Sequence, residues 1–350
     1  MKSRVLTIER KIQETEDAVT FYFKKPLFGK FKYLSGQFLT VSVNIDGQNH
    51  MRAYSLSSSP DLDTSSYCIT IKRVQGGLVS NYMIDHVHKG SQIEVKEPMG
   101  SFKTFAKNSS ARHVVLIGGG SGITPLFSIA KTLLYKEPQS TVSLYYFNRN
   151  QDTIIFDNYI QFLQKEYPNK FFVKHILSEP LEGWQDEPQM ISENLMGQIV
   201  IEAMGRAMAK CEYYICGPGP LMEIAEQGLL AHNVVDEQIF KESFVAEKSS
   251  AVEEQNLNFP TRSIKMVLER ETHGLLVPLN TSVLDAALSN KLKLPYACGS
   301  GICGSCMCKV KEGDVQMVGN HSLSDKQIKK GYVLACMSYV NSDNVLLEVV

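Results

Sequence analysis

One run of residues constrains this chain more than any other: Cys298-Gly299-Ser300-Gly301-Ile302-Cys303-Gly304-Ser305-Cys306, with Cys336 following after 29 intervening residues. C-x4-C-x2-C…C is the spacing of a [2Fe-2S] centre of the plant type. Four thiolates must surround two irons, and a short loop supplies three of them only if its backbone folds tightly. Gly299, Gly301 and Gly304 permit that fold and let N–H groups aim at sulfur. The distant Cys336 then ties the loop to the rest of its domain. The competing reading is a structural zinc site, which favours paired C-x2–4-C units; a triplet plus one distant cysteine is a different pattern. Cys308 falls outside it and reads as a small core hydrophobe.

The rest of the 350-residue chain leaves room for two or three domains. With 43% hydrophobic and 21% charged residues it has ordinary globular composition, which excludes disorder and a disulfide-stapled scaffold. A net charge of −1 gives no basic field, so no nucleic-acid partner is expected. No apolar run approaches the ~20 residues of a membrane span, and Met1-Lys2-Ser3-Arg4 leads into a strand pattern with no signal-peptide core. Clustered cysteines in such a chain point to metal or redox work in a reducing compartment, and a cytoplasmic location is expected.

Hydrophobic patterning divides the chain. Residues 1–108 carry short β-branched and aromatic runs (Val5–Ile8, Val19–Phe23, Phe38–Val43, Tyr67–Ile71) that predict an antiparallel barrel or sandwich. One helix is expected over Val79–Val87, after a Gly-Gly pair. Over 109–245 the rhythm becomes strand then helix: His113–Ile117, Thr124–Leu134, Val142–Phe147, Phe156–Lys165, Phe171–Leu177, Tyr213–Cys216. That alternation predicts a parallel α/β sheet. Residues 246–262 are polar and aperiodic and read as a linker. Residues 263–350 form a small third unit around the cysteines.

Four segments carry candidate binding chemistry. Gly118-Gly119-Gly120-Ser121-Gly122-Ile123-Thr124-Pro125 follows a strand and opens a helix, so its backbone can approach a pyrophosphate. Gly76-Gly77-Leu78-Val79-Ser80 opens another helix and is a second candidate anion site. Cys216-Gly217-Pro218-Gly219 is a third strand–turn–helix junction. Arg52-Ala53-Tyr54-Ser55, taken alone, is an edge strand with an aromatic.

In this order and spacing the segments resemble the ferredoxin–NADP reductase superfamily, a flavin-binding barrel followed by a pyridine-nucleotide domain. With residues 263–350 similar to a plant-type ferredoxin of β-grasp fold, the whole chain resembles the three-module reductases of bacterial oxygenases. Within that family the likeness extends to those serving phenylacetyl-CoA monooxygenase and ketosteroid hydroxylases. The resemblance implies that Arg52 pairs with a flavin phosphate, Tyr54 stacks on the isoalloxazine and Ser55 bonds near its N5. It implies that Gly76, Gly77, Leu78, Val79 and Ser80 hold the pyrophosphate. Gly119, Gly120 and Thr124 would cradle the nicotinamide nucleotide, and Cys216 and Gly217 would border its pocket. Phe244 would cover the second flavin face, and Glu242 would tune proton placement there. Cys298, Cys303, Cys306 and Cys336 would ligate the cluster. The two Gly-rich turns look more like the FAD group than the smaller FMN-using group related to phthalate dioxygenase reductase.

Arg149, after the second nucleotide-domain strand, tilts the expectation to NADPH, because an arginine accommodates a 2′-phosphate; some relatives with a similar Asn-Arg pair use NADH. The third unit holds nine Lys/Arg against eight Asp/Glu, unlike the acidic free ferredoxins, and a tether replaces steering by charge. No Rieske or di-iron ligand pattern is evident. The expected function is therefore an NAD(P)H-dependent reductase that passes electrons through FAD and [2Fe-2S] to a separate oxygenase or hydroxylase. The alternatives are an electron-carrier fusion with a degenerate flavoprotein half, or a reductase for a desaturase or hybrid-cluster protein.

Overall fold

A computed structural model describes residues 3–206, 211–244, 259–292, 294–296, 299, 301, 304–320, 323 and 325–350. The first unit is a sheet of six antiparallel strands in the order β4-β3-β6-β1-β2-β5. These are β1 (Ser3–Thr15), β2 (Ala18–Lys24), β3 (Phe38–Ile45), β4 (Gln48–Ser55), β5 (Ser66–Lys72) and β6 (Gln92–Lys96). The sheet curls until its ends meet: Leu56 bridges to Ile69, and the Ser57 N–H donates to the Cys68 carbonyl at 2.8 Å. Alternate residues fill the barrel, among them Phe21, Phe23, Ile69 and Ile71, all wholly buried. Helix α1 (Leu78–His86) follows β5 and packs Val79 and Met83 against this core.

The second unit is a parallel sheet in the order β11-β10-β7-β8-β9. Its strands are β7 (His113–Gly119), β8 (Thr141–Asn148), β9 (Phe171–Leu177), β10 (Cys211–Cys216) and β11 (Ile239–Glu242). Helices α2 (Ile123–Lys136) and α3 (Asp157–Glu166) cover one face; α4 (Glu193–Arg206) and α5 (Gly219–Ala231) cover the other. The chain runs outward from β7 in both directions. Its strand order therefore reverses between β7 and β10, where open α/β sheets form ligand crevices.

Helix α2 is buried from Ile123 to Leu134 because it lies between its own sheet and the barrel. Its barrel side is polar but satisfied. Ser128 donates to the Ser58 carbonyl at 2.6 Å, Thr132 and Ser59 share a 2.8 Å hydrogen bond, and Lys131 pairs with Asp63 at 2.6 Å. Arg112 forms a second joint. Its guanidinium grips the wholly buried Glu137 through two hydrogen bonds of 2.8 and 3.1 Å, reaches Glu212, and donates to Thr104 in the segment leaving the barrel. Burial alone would raise the Glu137 carboxyl; the hydrogen bonds from Arg112, Ser140 and the Lys107 N–H outweigh it and hold it below its ordinary value.

The third unit has the mixed sheet β13-β12-β18-β14-β16 and a two-stranded ribbon β15-β17. The ranges are β12 (Arg262–Leu268), β13 (Glu271–Val277), β14 (Met307–Glu312), β15 (Val315–Met317), β16 (Tyr332–Leu334), β17 (Ser338–Val340) and β18 (Leu346–Val349). Helix α6 (Val283–Ser289) starts at Ser282, whose hydroxyl accepts from the Asp285 N–H, and buries Val283, Leu284, Ala286 and Ala287. A short α7 (Asp325–Ile328) precedes β16. Phe259, in the stretch expected as linker, is buried and stacks on Tyr339 at 5.0 Å. Cys308 is fully buried in this core, as expected. Among the described residues no helix is long and apolar enough to cross a membrane.

Removing Arg112 leaves Glu137 and Glu212 buried without their cation. Arg112→Ala is expected to cost about 3–5 kcal/mol, the loss that follows when one partner of a buried pair is removed. Arg73→Ala removes the exposed Asp85 pair and is expected to move the unfolding midpoint little. Denaturant unfolding of both variants checks this, and equal midpoints would refute the assignment of the joint to Arg112.

Candidate functional site

A cleft of about 450 Å³ opens between the barrel and the parallel sheet. Arg52, Tyr54 and Ser55 from β4 line it, with Gly77, Leu78, Val79 and Ser80 at the start of α1, Thr124 in the first turn of α2, and Phe244 just beyond β11. Residues from three of the four segments that the sequence singled out, together with Phe244, thus share one cavity; Gly76, Gly119, Gly120, Cys216 and Gly217 are not in its lining. Thr70, Lys72, Arg73, Val74 and Ser121 also line it and were missed. The period of β5 was a usable signal: Ile69 and Ile71 point into the barrel, which turns Thr70 and Lys72 outward.

Two helix ends face this region without a side-chain cap. Neither Gly77 at α1 nor Gly122 at α2 supplies one; at α1 this leaves first-turn N–H groups for an anion, whereas at α2 the Ile123 N–H is spent on the Gly120 and Ser121 carbonyls and Pro125 has none. The Gly77 N–H is already committed to the Val74 carbonyl at 2.9 Å, which leaves Leu78, Val79 and Ser80 as the donors. Gly76 has φ +69°, a conformation that glycine adopts without strain. The turns after β7 and β10 pack backbone against backbone. A Cβ on Gly122 would lie 2.0 Å from the Cys216 carbonyl oxygen, and one on Gly217 3.0 Å from the Gly119 nitrogen. Gly120 has φ +51°, and its carbonyl accepts from the Tyr146 hydroxyl at 2.9 Å.

Beneath the cleft three expected residues meet. Parallel pairing sets Cys216 of β10 beside Glu242 of β11, and the Ser55 hydroxyl donates to Glu242 Oε2 at 3.3 Å. Glu242 is 9% exposed. Burial pushes its carboxyl up to about 8, against a smaller lowering by the Ser55 hydrogen bond. Burial, then the neighbouring Glu242, holds the Cys216 thiol well above its ordinary value, so it is no thiolate nucleophile at neutral pH. Phe244 remains 41% exposed. Arg149 lies outside the cleft, with a side chain 70% exposed beyond β8, where its Nε sits 3.9 Å from Glu179.

In the third unit Cys306 and Cys336 are buried with their sulfurs 3.3 Å apart. That separation is too long for a disulfide of about 2.05 Å. The Gly301 N–H donates to the Cys336 sulfur at 3.2 Å, and Gly299, Gly301 and Gly304 all have positive φ. Cys298 and Cys303 lie outside the described residues. Two adjacent buried sulfurs, one receiving a backbone N–H, fit the thiolate donor set of an iron–sulfur cluster.

Comparison with known proteins agrees with this division. Residues 5–104 match the oxidoreductase FAD-binding domain, 116–227 the oxidoreductase NAD-binding domain, and 267–341 the 2Fe-2S iron-sulfur cluster binding domain. The chain is 30% identical to a component of the 1,2-phenylacetyl-CoA epoxidase of Escherichia coli (strain K12), covering 98% of this chain and 96% of that one. It is 31% identical to the ferredoxin reductase component of 3-ketosteroid-9-alpha-monooxygenase from Rhodococcus rhodochrous, covering 99% and 97%. Among solved structures, phthalate dioxygenase reductase shares the fold over 99% of this chain and 98% of its own, with a TM-score of 0.59 at 22% identity.

Glu242 gives the fold a pH signature. Its folded value, about 8, lies above its ordinary 4.5, so between these values the folded state binds more protons than the unfolded one and stability falls as pH rises. Thermal unfolding of the flavin-free chain is expected to show that decline from about pH 4.5 to 8. Glu242→Gln should flatten it, and an unchanged slope in the variant would assign the decline elsewhere.

Proposed function

The chain belongs to the family of reductase components that pass electrons to oxygenases, and from that membership we propose that it draws them from NADPH for a partner similar to phenylacetyl-CoA monooxygenase. It is an electron-transferring oxidoreductase with FAD-, NAD- and [2Fe-2S]-binding domains. The carrying observation is the cleft in which β4, the start of α1 and the Gly-rich turn after β7 converge from two units. When bound, FAD takes the two electrons of a hydride together and yields them singly, and a [2Fe-2S] cluster accepts one at a time.

The chain's own residues bind and orient. In this reading Arg52 neutralises a flavin phosphate, while the N–H groups of Leu78 to Ser80 receive the pyrophosphate. Tyr54 and Phe244 flank the isoalloxazine from opposite units. The exposure of Phe244 supports a ring that gives way when nicotinamide enters. Gly119, Gly120, Thr124 and Gly217 receive the nicotinamide nucleotide at the strand-order reversal, where absent side chains permit close backbone approach. Ser55 holds its hydroxyl between the cleft and Glu242. Glu242, protonated below about pH 8, keeps a proton at the cleft floor without placing a bare charge there. Cys216 acts through packing under the Gly-rich turn. Cys298, Cys303, Cys306 and Cys336 hold the cluster, and their need for reduced thiols supports a cytoplasmic location. The domain limits follow as 1–108, 109–245 and 263–350.

The NADPH preference rests on Arg149. Its exposed approach to Glu179 is of the kind worth little, so the guanidinium is available to a 2′-phosphate. Arg149→Ala is expected to raise KM for NADPH on the order of tenfold, the loss of one charge-assisted hydrogen bond of roughly 1.5 kcal/mol, and to leave KM for NADH near its starting value. Equal shifts for both nucleotides would assign Arg149 to the surface alone. For the electron path, anaerobic addition of NADPH should bleach flavin and iron–sulfur absorbance together. A chain whose cluster absorbs while no flavin is present would instead be a non-catalytic carrier.

A further inference from the structure

A row of hydroxyls leads out of the cleft on the side away from Glu242. Thr70 on β5 lines the cleft. Its Oγ1 lies 2.8 Å from that of Thr20 on β2 and 3.2 Å from Ser57 Oγ. Thr20 in turn donates to Glu14 Oε1 at 2.6 Å. Glu14, Thr20 and Ser57 line a second cavity of about 290 Å³ between the barrel and the start of α3, so of the row Thr70 alone is in the cleft lining.

Glu14 reaches the row because of a local irregularity. The pairing of β1 with β2 slips between Gln13 and Thr15, so Glu14 is the extra residue of a β-bulge. Bulges re-aim a side chain that a regular strand would send elsewhere.

The chemistry of the row is directional. A hydroxyl has one hydrogen to give and two lone pairs. While Glu14 is ionised it only accepts, so Thr20 spends its hydrogen there. Thr20 must then accept from Thr70, and Thr70 must accept from Ser57. The Thr70 and Thr20 hydrogens then both point away from the cleft, and Thr70, which also accepts from Ser57, has only a lone pair left for it. When Glu14 is protonated it can donate to Thr20. The row then reverses, and the Thr70 hydrogen is released toward Ser57 or a group in the cleft.

We propose that Glu14 is a positioning residue of the flavin cleft, its charge state setting whether Thr70 offers that cleft a lone pair or a hydrogen. This rests on the reading of the cleft as the flavin site. Burial raises the Glu14 carboxyl above its ordinary 4.5; the Thr20 hydrogen bond, the Phe156 N–H, Arg10 and Lys131 oppose it without cancelling it. Lys131 is itself paired with Asp63. The remaining titratable groups around the cavity are Tyr22 on β2, Cys68 on β5, and Asp157 and Tyr159 on α3; burial holds Tyr22 and Cys68 neutral, each pushed up to about 12, and raises Tyr159 as well.

The test is the visible absorption of the bound FAD followed against pH, in a Glu242→Gln background that removes the other cleft carboxyl. The expected result is a one-proton shift of the flavin band with its midpoint above 4.5. It should be lost in Glu14→Gln and in Thr20→Val and kept in Thr20→Ser, with FAD content per chain unchanged. Thr20→Val leaves the carboxyl and its contact with α3 in place, so a merely structural Glu14 would keep the shift. A shift that persists with the same midpoint in Thr20→Val overturns the proposal, as does its absence from the Glu242→Gln parent. A chain that retains no FAD at all overturns the flavin-site reading as well, and its FAD content identifies that case.

Discussion

The hydrogen bond from Ser55 to Glu242 joins residues 187 apart in sequence, and it ties together the two units that wall the cleft. Ser55 ends β4 on the barrel; Glu242 ends β11 at the edge of the parallel sheet. Holding both ends together requires the barrel and the sheet to dock in one orientation. An apolar interface would hold them with little preference for register. This one sets buried hydroxyls against specific acceptors, Ser128 on the Ser58 carbonyl and Thr132 on Ser59. A slipped interface would leave such groups unpaired at a cost of about 1–3 kcal/mol each. The polar side of α2 and the Arg112 joint therefore act as the register marks of the cleft.

That arrangement explains which parts were legible in the sequence. The long buried strands and α2 announce themselves by hydrophobic runs, and the Gly-rich turns by their place after strands. β11 did not, because Ile239-Phe240-Lys241-Glu242 is too short and mixed to show a period. Yet it carries Glu242, which only the likeness to a known family brought forward. Helix α4 was likewise missed: its Ile201 and Met204 face solvent and blur the apolar stripe. β1 was seen only in part, because its bulges interrupt the alternation that marks a strand. The same bulge delivers Glu14, so the residue that sequence reasoning passed over sits where the pattern broke.

Arg149 marks a different boundary. Its type and place after β8 were legible, but not its approach to Glu179. Sequence gives the residue at a strand end and not the curvature of the loop that follows. The cluster cysteines are the opposite case. Their spacing points to the chemistry, because three thiols on a glycine-rich loop with a fourth from a distant segment have few other uses, and the 3.3 Å approach of Cys306 to Cys336 adds a distance to what the pattern states.

The two carboxyls near the cleft answer different demands of one reaction. A hydride brings two electrons and one proton, and the electrons leave singly, so charge in the cleft changes at every step. A bare carboxylate against the flavin would oppose each arriving electron. In the proposed flavin site Glu242 would avoid this by burial, which raises its carboxyl to about 8, with the Ser55 hydroxyl between it and the cleft. Glu14 is set back by two threonines, and what reaches the cleft from it is the orientation of a neutral hydroxyl. Both devices replace a charge by a dipole at the point of contact. A dipole fixed by the surrounding fold stabilises the changing charge with little reorganisation as electrons come and go. The rigid serine and threonine interface that closes the cleft is what keeps those dipoles fixed.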